Sequence, residues 1–459
     1  MSRGSTHRPS EHFAAIARLS APIYVAQIAV FANAVADTIF AGHYHVDHLA
    51  AIGLGSAIWA SLFLPTMGVL QGLSPIIGRC FGAGDFATIG RHLRAGAWLA
   101  LALSVPMLIV FAFPEGVLQL AQVPAGVRPL TKAYLHALAF GVPALMLARV
   151  FYAFAPAAGH PRAVMVMNVG AMAVKLPLSY ALVNGAWGFP ELGGPGCGVA
   201  SAVAYWLMLA TAIATLWFDP SYRRFQLWNR SWRFDARTLG AILRLGLPIG
   251  ASILVEVTSF TFMALFLARL GATVSGAQQI VTNLAALLFM LPLSMGIATQ
   301  VLISQSLGAT LTIEARGLAL DGMRLAAACA SVVCIGVWLA RDWIIGGYTN
   351  DPGVARIAYQ LFPVLLLFHW FDAQQVTVLQ ALRGYQQTVV PTLIYAFSLW
   401  GIGLGVGYLA AFAPWPAIWP NVPLGAIGLW WAQTASLAVA GAALFWEFRR
   451  ISRPGHVPQ

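Results

Sequence analysis

Twelve apolar runs, each of about 20 residues or more, alternate with short polar segments along the 459-residue chain. An α-helix of that length crosses the hydrocarbon core of a bilayer. The pattern therefore predicts twelve membrane-spanning helices, six in each half of the chain. Their predicted cores are 15–41, 50–77, 93–113, 132–155, 163–184, 197–217, 240–268, 275–303, 320–340, 356–381, 388–412 and 424–446.

The composition agrees with a membrane protein and excludes a soluble one. Hydrophobic residues make up 59% of the chain and charged residues 9%, whereas a soluble protein carries roughly 25% charged residues. The isoelectric point is about 9.9, yet the basic residues lie in short loops and form no stripe that would bind nucleic acid. We predict an all-α polytopic membrane protein, monomeric, that contacts lipid and no nucleic acid.

The distribution of Lys and Arg predicts the orientation. If the amino terminus is cytoplasmic, 20 of the 26 Lys and Arg residues fall on the cytoplasmic side, five fall outside and one, Lys175, falls within a span. Acidic residues split seven to five and show no comparable bias. Because positive charge in cytoplasmic loops orients membrane helices, both termini are predicted to be cytoplasmic.

The two halves of the chain resemble each other. Arg18-Leu-Ser-Ala-Pro22 recurs 226 residues later as Arg244-Leu-Gly-Leu-Pro248. Six helices per copy is an even number, so both copies have the same orientation in the membrane, an arrangement that occurs in secondary transporters.

The only strongly polar segment between apolar runs divides the halves. The predicted amino-terminal lobe is 1–218, the cytoplasmic linker is 219–239 and the carboxy-terminal lobe is 240–459. The linker carries Arg223, Arg224, Arg230, Arg233 and Arg237.

Four charged residues are predicted to lie deep within the spans: Asp37, Lys175, Glu256 and Asp372. A charge at the middle of the membrane costs about 2.5–3.5 kcal/mol on insertion scales. Three acids and one base give this set a net charge of −2, and acids that lack bases retain a proton or hold a cation. The set therefore predicts exchange of Na+ or H+ as the coupling ion, without a cofactor.

Polar and aromatic residues accompany these charges. A hard cation prefers carboxylate, amide and hydroxyl oxygens, so Glu256 and Asp372 are the predicted ligands of a bound Na+. Buried amides also serve as hydrogen-bonded contacts between helices, and the sequence leaves that alternative open. The predicted supporting residues are Asn33, Lys175, Ser179, Gln279, Asn283 and Gln375, with the rings of Phe260 and Phe368 near the site.

The depth of Lys175 predicts its partner. This residue lies about nine residues, or roughly 14 Å, below the outer end of the fifth span, and a Lys side chain reaches only about 6 Å. Asp37 is the only acid in the membrane core of that half and lies at nearly the same depth. We predict an ion pair between them in one state of a transport cycle; the alternative is a Lys175 that faces a wet cavity without a partner.

Segments around these residues resemble the multidrug and toxic compound extrusion (MATE) family, specifically its bacterial NorM-like branch. Residues 35–39, Val-Ala-Asp-Thr-Ile, resemble the first-helix motif, and residues 255–258, Val-Glu-Val-Thr, the seventh-helix motif. Residues 372–376, Asp-Ala-Gln-Gln-Val, and 381–385, Ala-Leu-Arg-Gly-Tyr, resemble the tenth-helix motif. Residues 190–200, before the sixth helix, are also similar, so the resemblance covers essentially the whole chain.

The resemblance implies a fold, a location and an activity. The fold would be two six-helix lobes around a central cavity in the bacterial inner membrane. The activity would be export of organic cations and drugs in exchange for inward Na+ or H+. Asp37 would be the acid of the amino lobe, and Glu256 and Asp372 the cation site of the carboxy lobe.

The sequence departs from the family pattern in three helices. Residues 175–179, Lys-Leu-Pro-Leu-Ser, stand where relatives often have Asn-Ile-Pro-Leu-Asn in the fifth helix. Phe368 stands where many have Tyr, and Gln278 where many have His. Phe368 removes a potential oxygen ligand, which favours protons alongside Na+. The choice of coupling ion stays open.

These observations predict a cation-coupled antiporter that exports cationic and amphipathic drugs and dyes by alternating access. The alternative is a lipid-linked saccharide flippase of related two-lobe architecture; such proteins line their cavity with basic residues, whereas the predicted buried charges are net acidic. No enzymatic activity is predicted, because no nucleophile–base pair or metal-ligand spacing occurs. His136 and His369 are predicted to be hydrogen-bonded packing residues.

Overall fold

The structure, a computed structural model, describes residues 9–120, 122–228, 232, 234–413 and 424–453. Both chain ends, which we predict to be cytoplasmic, lie outside the described residues, as do Arg230 and Arg233 of the predicted linker. Throughout the described part of the chain the secondary structure is helical, and this part contains no strand.

Twelve spans in the described residues are long and apolar enough to cross a membrane, which confirms the predicted number. Lipid offers no hydrogen bonds to a backbone, so each span satisfies its own N–H and C=O groups as a helix. The helices are α1 (Pro9–Tyr44), α2 (Val46–Gln71), α3 (Leu73–Gly82), α4 (Phe86–Ala112), α5 (Glu115–Leu120), α6 (Arg128–Ala157), α7 (Pro161–Asn184), α8 (Gly194–Phe218), α9 (Ala236–Ala268), α10 (Ala272–Gly308), α11 (Thr312–Leu339), α12 (Arg341–Tyr348), α13 (Pro352–Gly384), α14 (Val389–Ala396), α15 (Gly407–Phe412) and α16 (Gly425–Ile451). The second span, Val46–Gly82, combines α2 and α3.

The eleventh span, Val389–Phe412, departs from a regular α-helix. Between α14 and α15 it contains a π-helical stretch, Phe397–Val406. Glycines occupy every second position from 401 to 407, and a β-carbon on Gly403 would lie only 2.6 Å from Oε1 of Gln433 on α16. The glycines therefore permit close packing of a wide helical turn, and π-helical turns are frequent at functional sites.

The chain packs as two compact units. The amino unit is Pro22–Gly250, and the carboxy unit comprises the described residues from 251 onward together with residues 9–21. The first turns of α1 therefore pack in the carboxy unit, and the first turns of α9 pack in the amino unit. Pro22 and Pro248, which correspond in the predicted repeat, lie at or next to these two transitions.

Residues 9–21 are held in the carboxy unit by a buried acid. His12 Nδ1 lies 2.7 Å from Oδ2 of Asp321 on α11, and Arg324 Nη1 donates to Asp321 Oδ1 at 2.8 Å. His12 and Asp321 are both buried. A buried carboxylate with a partner on each oxygen is satisfied, so this contact anchors the start of α1.

Residues 236–250 are held in the amino unit by close backbone packing. A β-carbon on Gly72, between α2 and α3, would lie 2.7 Å from the backbone nitrogen of Gly246 on α9. A β-carbon on Gly250 would lie 2.7 Å from the carbonyl oxygen of Pro65. Small residues let helix backbones approach each other in a membrane, and here they bring α9 against α2.

The central helix of the amino unit is α6. In its most apolar 18-residue stretch 67% of the residues are buried within the protein, the largest share among the twelve spans. A charged side chain on this helix is therefore surrounded by protein and must find its partners there.

Candidate functional site

The acid of the amino unit is paired. Lys175 Nζ on α7 lies 2.7 Å from Asp37 Oδ2 on α1, and each of the two residues is 7% exposed. Pairing offsets the cost of burying either charge alone. The ion pair that residue depth predicts is therefore present, while its part in a transport cycle stays a prediction.

Three buried oxygen atoms on the two helices of this pair have no hydrogen-bond partner among the described residues: Asp37 Oδ1, Asn33 Oδ1 and Ser179 Oγ. Asn33 lies one turn before Asp37, and its Nδ2 donates to the backbone oxygen of Ala29 at 2.9 Å. Ser179 lies one turn after Lys175. Buried oxygens without donors are costly, so these atoms have unused capacity to accept a hydrogen bond.

The carboxy unit contains a cavity of about 190 Å³. Glu256 on α9 and Asp372 on α13 both line it, together with Tyr395 of α14, whose hydroxyl is hydrogen-bonded to Glu256. Most of the remaining lining is apolar, including Phe289 and Leu437. The structure thus brings the two predicted acids of this half into one largely apolar space.

A buried cation acts on one of these two acids. Arg383, on the last turn of α13, is 6% exposed and attracts Glu256 electrostatically. Its guanidinium is held by hydrogen bonds to Ser252 Oγ at 2.9 Å and to Gln380 Oε1 at 3.1 Å. The charged neighbour of Asp372 is instead Glu256, a like charge. The two acids of the cavity therefore lie in different electrostatic fields.

The predicted aromatic residues line the cavity. The rings of Phe260 and Phe368 meet edge to face at 6.1 Å, and Phe368 meets Trp430 at 5.3 Å. Trp430 Nε1 donates to Oε1 of Gln278 at 2.6 Å, and Gln278 Nε2 donates to the hydroxyl of Thr282 at 3.0 Å. These hydrogen bonds hold the aromatic side of the cavity in place beside the two acids.

Three of the predicted supporting amides lie outside the cavity lining. Gln279 Nε2 donates to Oδ1 of Asn283 at 2.9 Å on an exposed part of α10. Gln375 is buried against Gly441, and its Nε2 has no hydrogen-bond partner in the described part of the chain. Thr282, rather than either residue of the Gln279–Asn283 pair, supplies the polar group of α10 to the cavity.

The sequence analysis missed three buried arginines. Arg94 on α4 and Arg149 on α6 lie inside the predicted cores 93–113 and 132–155, and Arg383 lies two residues beyond the predicted tenth core. Asp321 and Glu447 are also buried, so the predicted set of four charges, with its net charge of −2, is incomplete. The position of Arg149 inside a predicted core was only a partial signal, because its burial by protein depends on the packing of α6. Tyr395 offered none, because a tyrosine in a span is usual.

The two predicted packing histidines differ. His136 Nε2 contacts the backbone oxygen of Ala112 at 3.1 Å. His369 is fully buried, and its Nε2 has no hydrogen-bond partner among the described residues, so the prediction of a hydrogen-bonded residue is wrong there. In the described residues no three His, Cys, Asp or Glu side chains form a group that would hold a metal ion.

Both halves of the chain match one family. The MatE family model matches residues 22–181 and again residues 248–409. The two matches begin at residues 22 and 248, which are 226 positions apart, the offset of the predicted repeat. The chain is a member of the MATE family.

Curated relatives of this MATE protein extend over nearly its whole length. The probable multidrug resistance protein NorM of Aromatoleum aromaticum is 38% identical over 433 residues, which cover 94% of this chain and 93% of that protein. The multidrug resistance protein PmpM of Pseudomonas aeruginosa is 36% identical over 430 residues, or 93% of this chain and 88% of that protein.

Solved MATE structures share the fold. The eukaryotic transporter AtDTX14 superposes with a TM-score of 0.87 at 18% identity and covers 96% of both chains. The Vibrio cholerae transporter VcmN in its bent form has a TM-score of 0.82 at 16% identity, over 97% of this chain and 98% of that one. The predicted fold class, twelve spans as two six-helix lobes, is confirmed.

Proposed function

We propose that this MATE protein is a cation-coupled antiporter that exports cationic and amphipathic drugs and dyes by alternating access. It acts in the bacterial inner membrane with both termini cytoplasmic. The names of the two relatives as multidrug resistance proteins support drug export. The coupling mechanism is inferred from the two acid sites.

The observation that carries the proposal is the shared cavity of Glu256 and Asp372. Two carboxylates in a small apolar space do not both stay ionised without a cation. Arg383 supplies one positive charge near Glu256, so the cavity requires about one more. One coupling cation, bound from one side of the membrane and released to the other, meets that requirement.

Both candidate ions fit the cavity chemically. A proton would reside on one carboxylate. A Na+ ion would take oxygen ligands from Glu256, Asp372 and the hydroxyl of Tyr395. Phe368 contributes no oxygen to the lining, which favours a contribution from protons alongside Na+.

The Asp37–Lys175 pair makes the amino unit responsive to a proton or a cationic substrate as well. The ammonium of Lys175 stands where a bound cation would lie. A proton or a cationic substrate that reaches Asp37 breaks the pair, because the acid then has an alternative source of positive charge. The pair thereby couples substrate binding to the state of Asp37.

Dye efflux under imposed gradients tests the proposal. Purified protein in proteoliposomes loaded with ethidium should export the dye when a Na+ or pH gradient is applied, and export should stop when both gradients are dissipated. Equal export with and without gradients would contradict cation coupling. Absence of export under every gradient would contradict the proposed function.

The buried arginines favour one competing function. Arg149 and Arg383 weaken the argument from net charge against a flippase for lipid-linked saccharides, whose phosphates need basic partners. The same vesicles distinguish the two activities. Protein that translocates a fluorescent lipid-linked saccharide and does not export ethidium would be a flippase.

A further inference from the structure

Two residues of the eleventh span contact the turn of α9 that carries Glu256. The hydroxyl of Tyr395 is hydrogen-bonded to the Glu256 carboxylate. Trp400 Nε1 donates to the backbone oxygen of Val255, the residue just before it, at 3.2 Å. Two consecutive residues of α9 are therefore bound by one neighbouring span, one through its side chain and the other through its backbone.

The π-helical stretch explains how Tyr395 and Trp400 reach the same turn of α9. The two residues are five positions apart, and in an α-helix such positions point about 140° away from each other. A π-helix closes its hydrogen bonds between residues five apart, which brings such positions nearly onto one face. The stretch Phe397–Val406 begins between the two residues, so the wide turn directs both side chains at α9.

The π-helical stretch is also fixed relative to α9 through α16. Gly403 of the stretch lies in close contact with the side chain of Gln433. Gln433 Nε2 in turn donates to Oγ of Ser259, one turn after Val255 on α9, at 3.0 Å. Gln433 and Ser259 are both buried. Trp400 is therefore held at a defined place beside α9 by its own span and by α16.

The bond from Trp400 is not needed to satisfy the backbone of α9. Residues 255–259 are α-helical, so the Val255 oxygen accepts the N–H of the residue four positions later, and the Thr258 hydroxyl donates to it at 3.1 Å. Loss of the Trp400 donor would leave no buried acceptor without a partner. The main consequence of this bond is therefore for the position of the peptide unit that joins Val255 to Glu256.

We propose that Trp400 is a positioning residue for the coupling cation and acts through Glu256. It binds the carbonyl of the peptide unit that leads into Glu256, so the carboxylate keeps its place beside the Tyr395 hydroxyl in the cavity shared with Asp372. Without this bond the carboxylate is less ordered, and a cation that binds must order it, which lowers the affinity for the cation. The inference rests on the proposed function, because it assigns the cavity to a coupling cation.

Efflux measured against the concentration of the coupling cation tests the proposal. Trp400→Phe and Trp400→Leu both remove the N–H donor, and only the first keeps an aromatic ring. In ethidium-loaded proteoliposomes we expect both variants to raise the concentration of the driving cation, Na+ or H+, that gives half-maximal efflux by about three- to fivefold, the range that one hydrogen bond supplies. The maximal rate and the ethidium concentration for half-maximal efflux should change less than about twofold.

A matched control and a double variant complete the test. Trp431 on α16 is 46% exposed, against 47% for Trp400, and lies outside the cavity lining, so Trp431→Phe should leave the cation requirement unchanged. Tyr395→Phe removes the hydroxyl that contacts Glu256. If Trp400 acts through Glu256, Tyr395→Phe and Trp400→Phe combined should raise the cation requirement by less than the product of the two single effects.

An unchanged cation requirement in both Trp400 variants would overturn the inference. A rise in Trp400→Leu alone would show that the ring only packs between helices, and an equal rise in Trp431→Phe or independent effects of Tyr395→Phe and Trp400→Phe would also overturn it. Failure of both Trp400 variants to fold would make the residue structural and would have the same consequence. These outcomes concern Trp400 alone, whereas wild-type protein without gradient-driven efflux contradicts the proposed function as well.

Discussion

In the amino unit a lysine contacts the buried acid directly, whereas in the carboxy unit two acids share a cavity and an arginine acts on only one of them. Lys175 Nζ and Asp37 Oδ2 are 2.7 Å apart. Arg383 is bound instead by a serine and a glutamine, and Asp372 has a like charge as its charged neighbour. One site contains its own cation, and in our proposal the other takes one from outside.

The difference shows that duplication built the helices and not the charged sites. At the repeat offset of 226 residues, Asp37 corresponds to Met263 and Glu256 to Val30. Met263 is fully buried in the apolar core of the carboxy unit. Each unit therefore acquired its acids independently, at positions where the other has an apolar side chain.

The largest effect is expected from Asp372→Asn. The change removes the acid that has no cation near it, so the cavity no longer requires a coupling ion, and gradient-driven ethidium efflux from proteoliposomes should be lost while expression is unchanged. Asp351→Asn is the control on the same helix, because Asn caps a helix as well as Asp does and Asp351 caps α13 at Gly353 N. Full gradient-driven efflux by Asp372→Asn would refute its role.

The second-largest effect is expected at the Asp37–Lys175 ion pair of the amino unit. Lys175→Asn leaves a buried carboxylate without its cation and should lower the free energy of unfolding by roughly 3–5 kcal/mol. Asp37→Asn together with Lys175→Asn should cost much less than the sum of the single changes. Thermal unfolding and dye efflux of the four proteins measure this coupling. Additive effects on both would mean that the pair contributes neither stability nor function.

Arg383→Gln is expected to have a smaller effect, and to lower the Na+ requirement for efflux where the preceding changes impair the protein. Removal of this cation relieves its repulsion of a cation held by Glu256, so the Na+ concentration for half-maximal efflux should fall by about three- to tenfold, which corresponds to roughly 0.6–1.4 kcal/mol. Arg356→Gln, a change at an exposed arginine of the same helix, is the control. An unchanged or higher Na+ requirement would place Arg383 outside the coupling site.

The smallest effect is expected at the N-caps of two corresponding helices, α4 in the amino unit and α11 in the carboxy unit. Asp85, the N-cap of α4, accepts from Thr88 N at 3.1 Å, whereas Leu311, its repeat counterpart and the N-cap of α11, has no capping side chain. Asp85→Ala should lower stability by about 1 kcal/mol, and Leu311→Asp should raise it by a similar amount. Melting temperatures in detergent measure both changes.

The pH dependence of this cap has a definite sign. Hydrogen bonds from the side chain and backbone of Thr88 lower the pKa of Asp85 below its ordinary value. A lowered pKa means that the cap stabilises the fold at neutral pH and that this contribution is lost as pH falls below about 4, through the folded-state pKa. The difference between wild type and Asp85→Ala should therefore shrink at pH 3. A difference that grows on acidification would contradict the capping role.

Much of the fold could be predicted because membrane spans are defined by length and apolarity alone. The contact between Asp37 and Lys175 was also predictable, since depth along two helices limits which charges can meet. The neighbours of Gln279 and Asn283 were not, because helical spacing gives the face of a helix and not the helix that packs on it. The two residues bond to each other instead of facing Glu256.

The burial of Arg149 and the packing of residues 9–21 could not be predicted from the sequence, for two different reasons. An arginine near the end of a span is usually assigned to the headgroups, and only the central position of α6 shows that Arg149 is enclosed by protein. The transfer of residues 9–21 to the carboxy unit depends on Asp321, which is 309 residues away from His12. No local pattern contains a contact of that range.

The exchanged starts of α1 and α9 also determine the order in which the protein matures. Residues 9–21 are synthesised first, yet they must wait for α11 before Asp321 is available to His12. The amino unit, for its part, is complete only when the Gly246 region of α9 has been made and can pack against Gly72. Neither unit can therefore finish during synthesis as a separate domain. A nascent chain released after the sixth span would expose two unfinished helix faces to the membrane and to quality control.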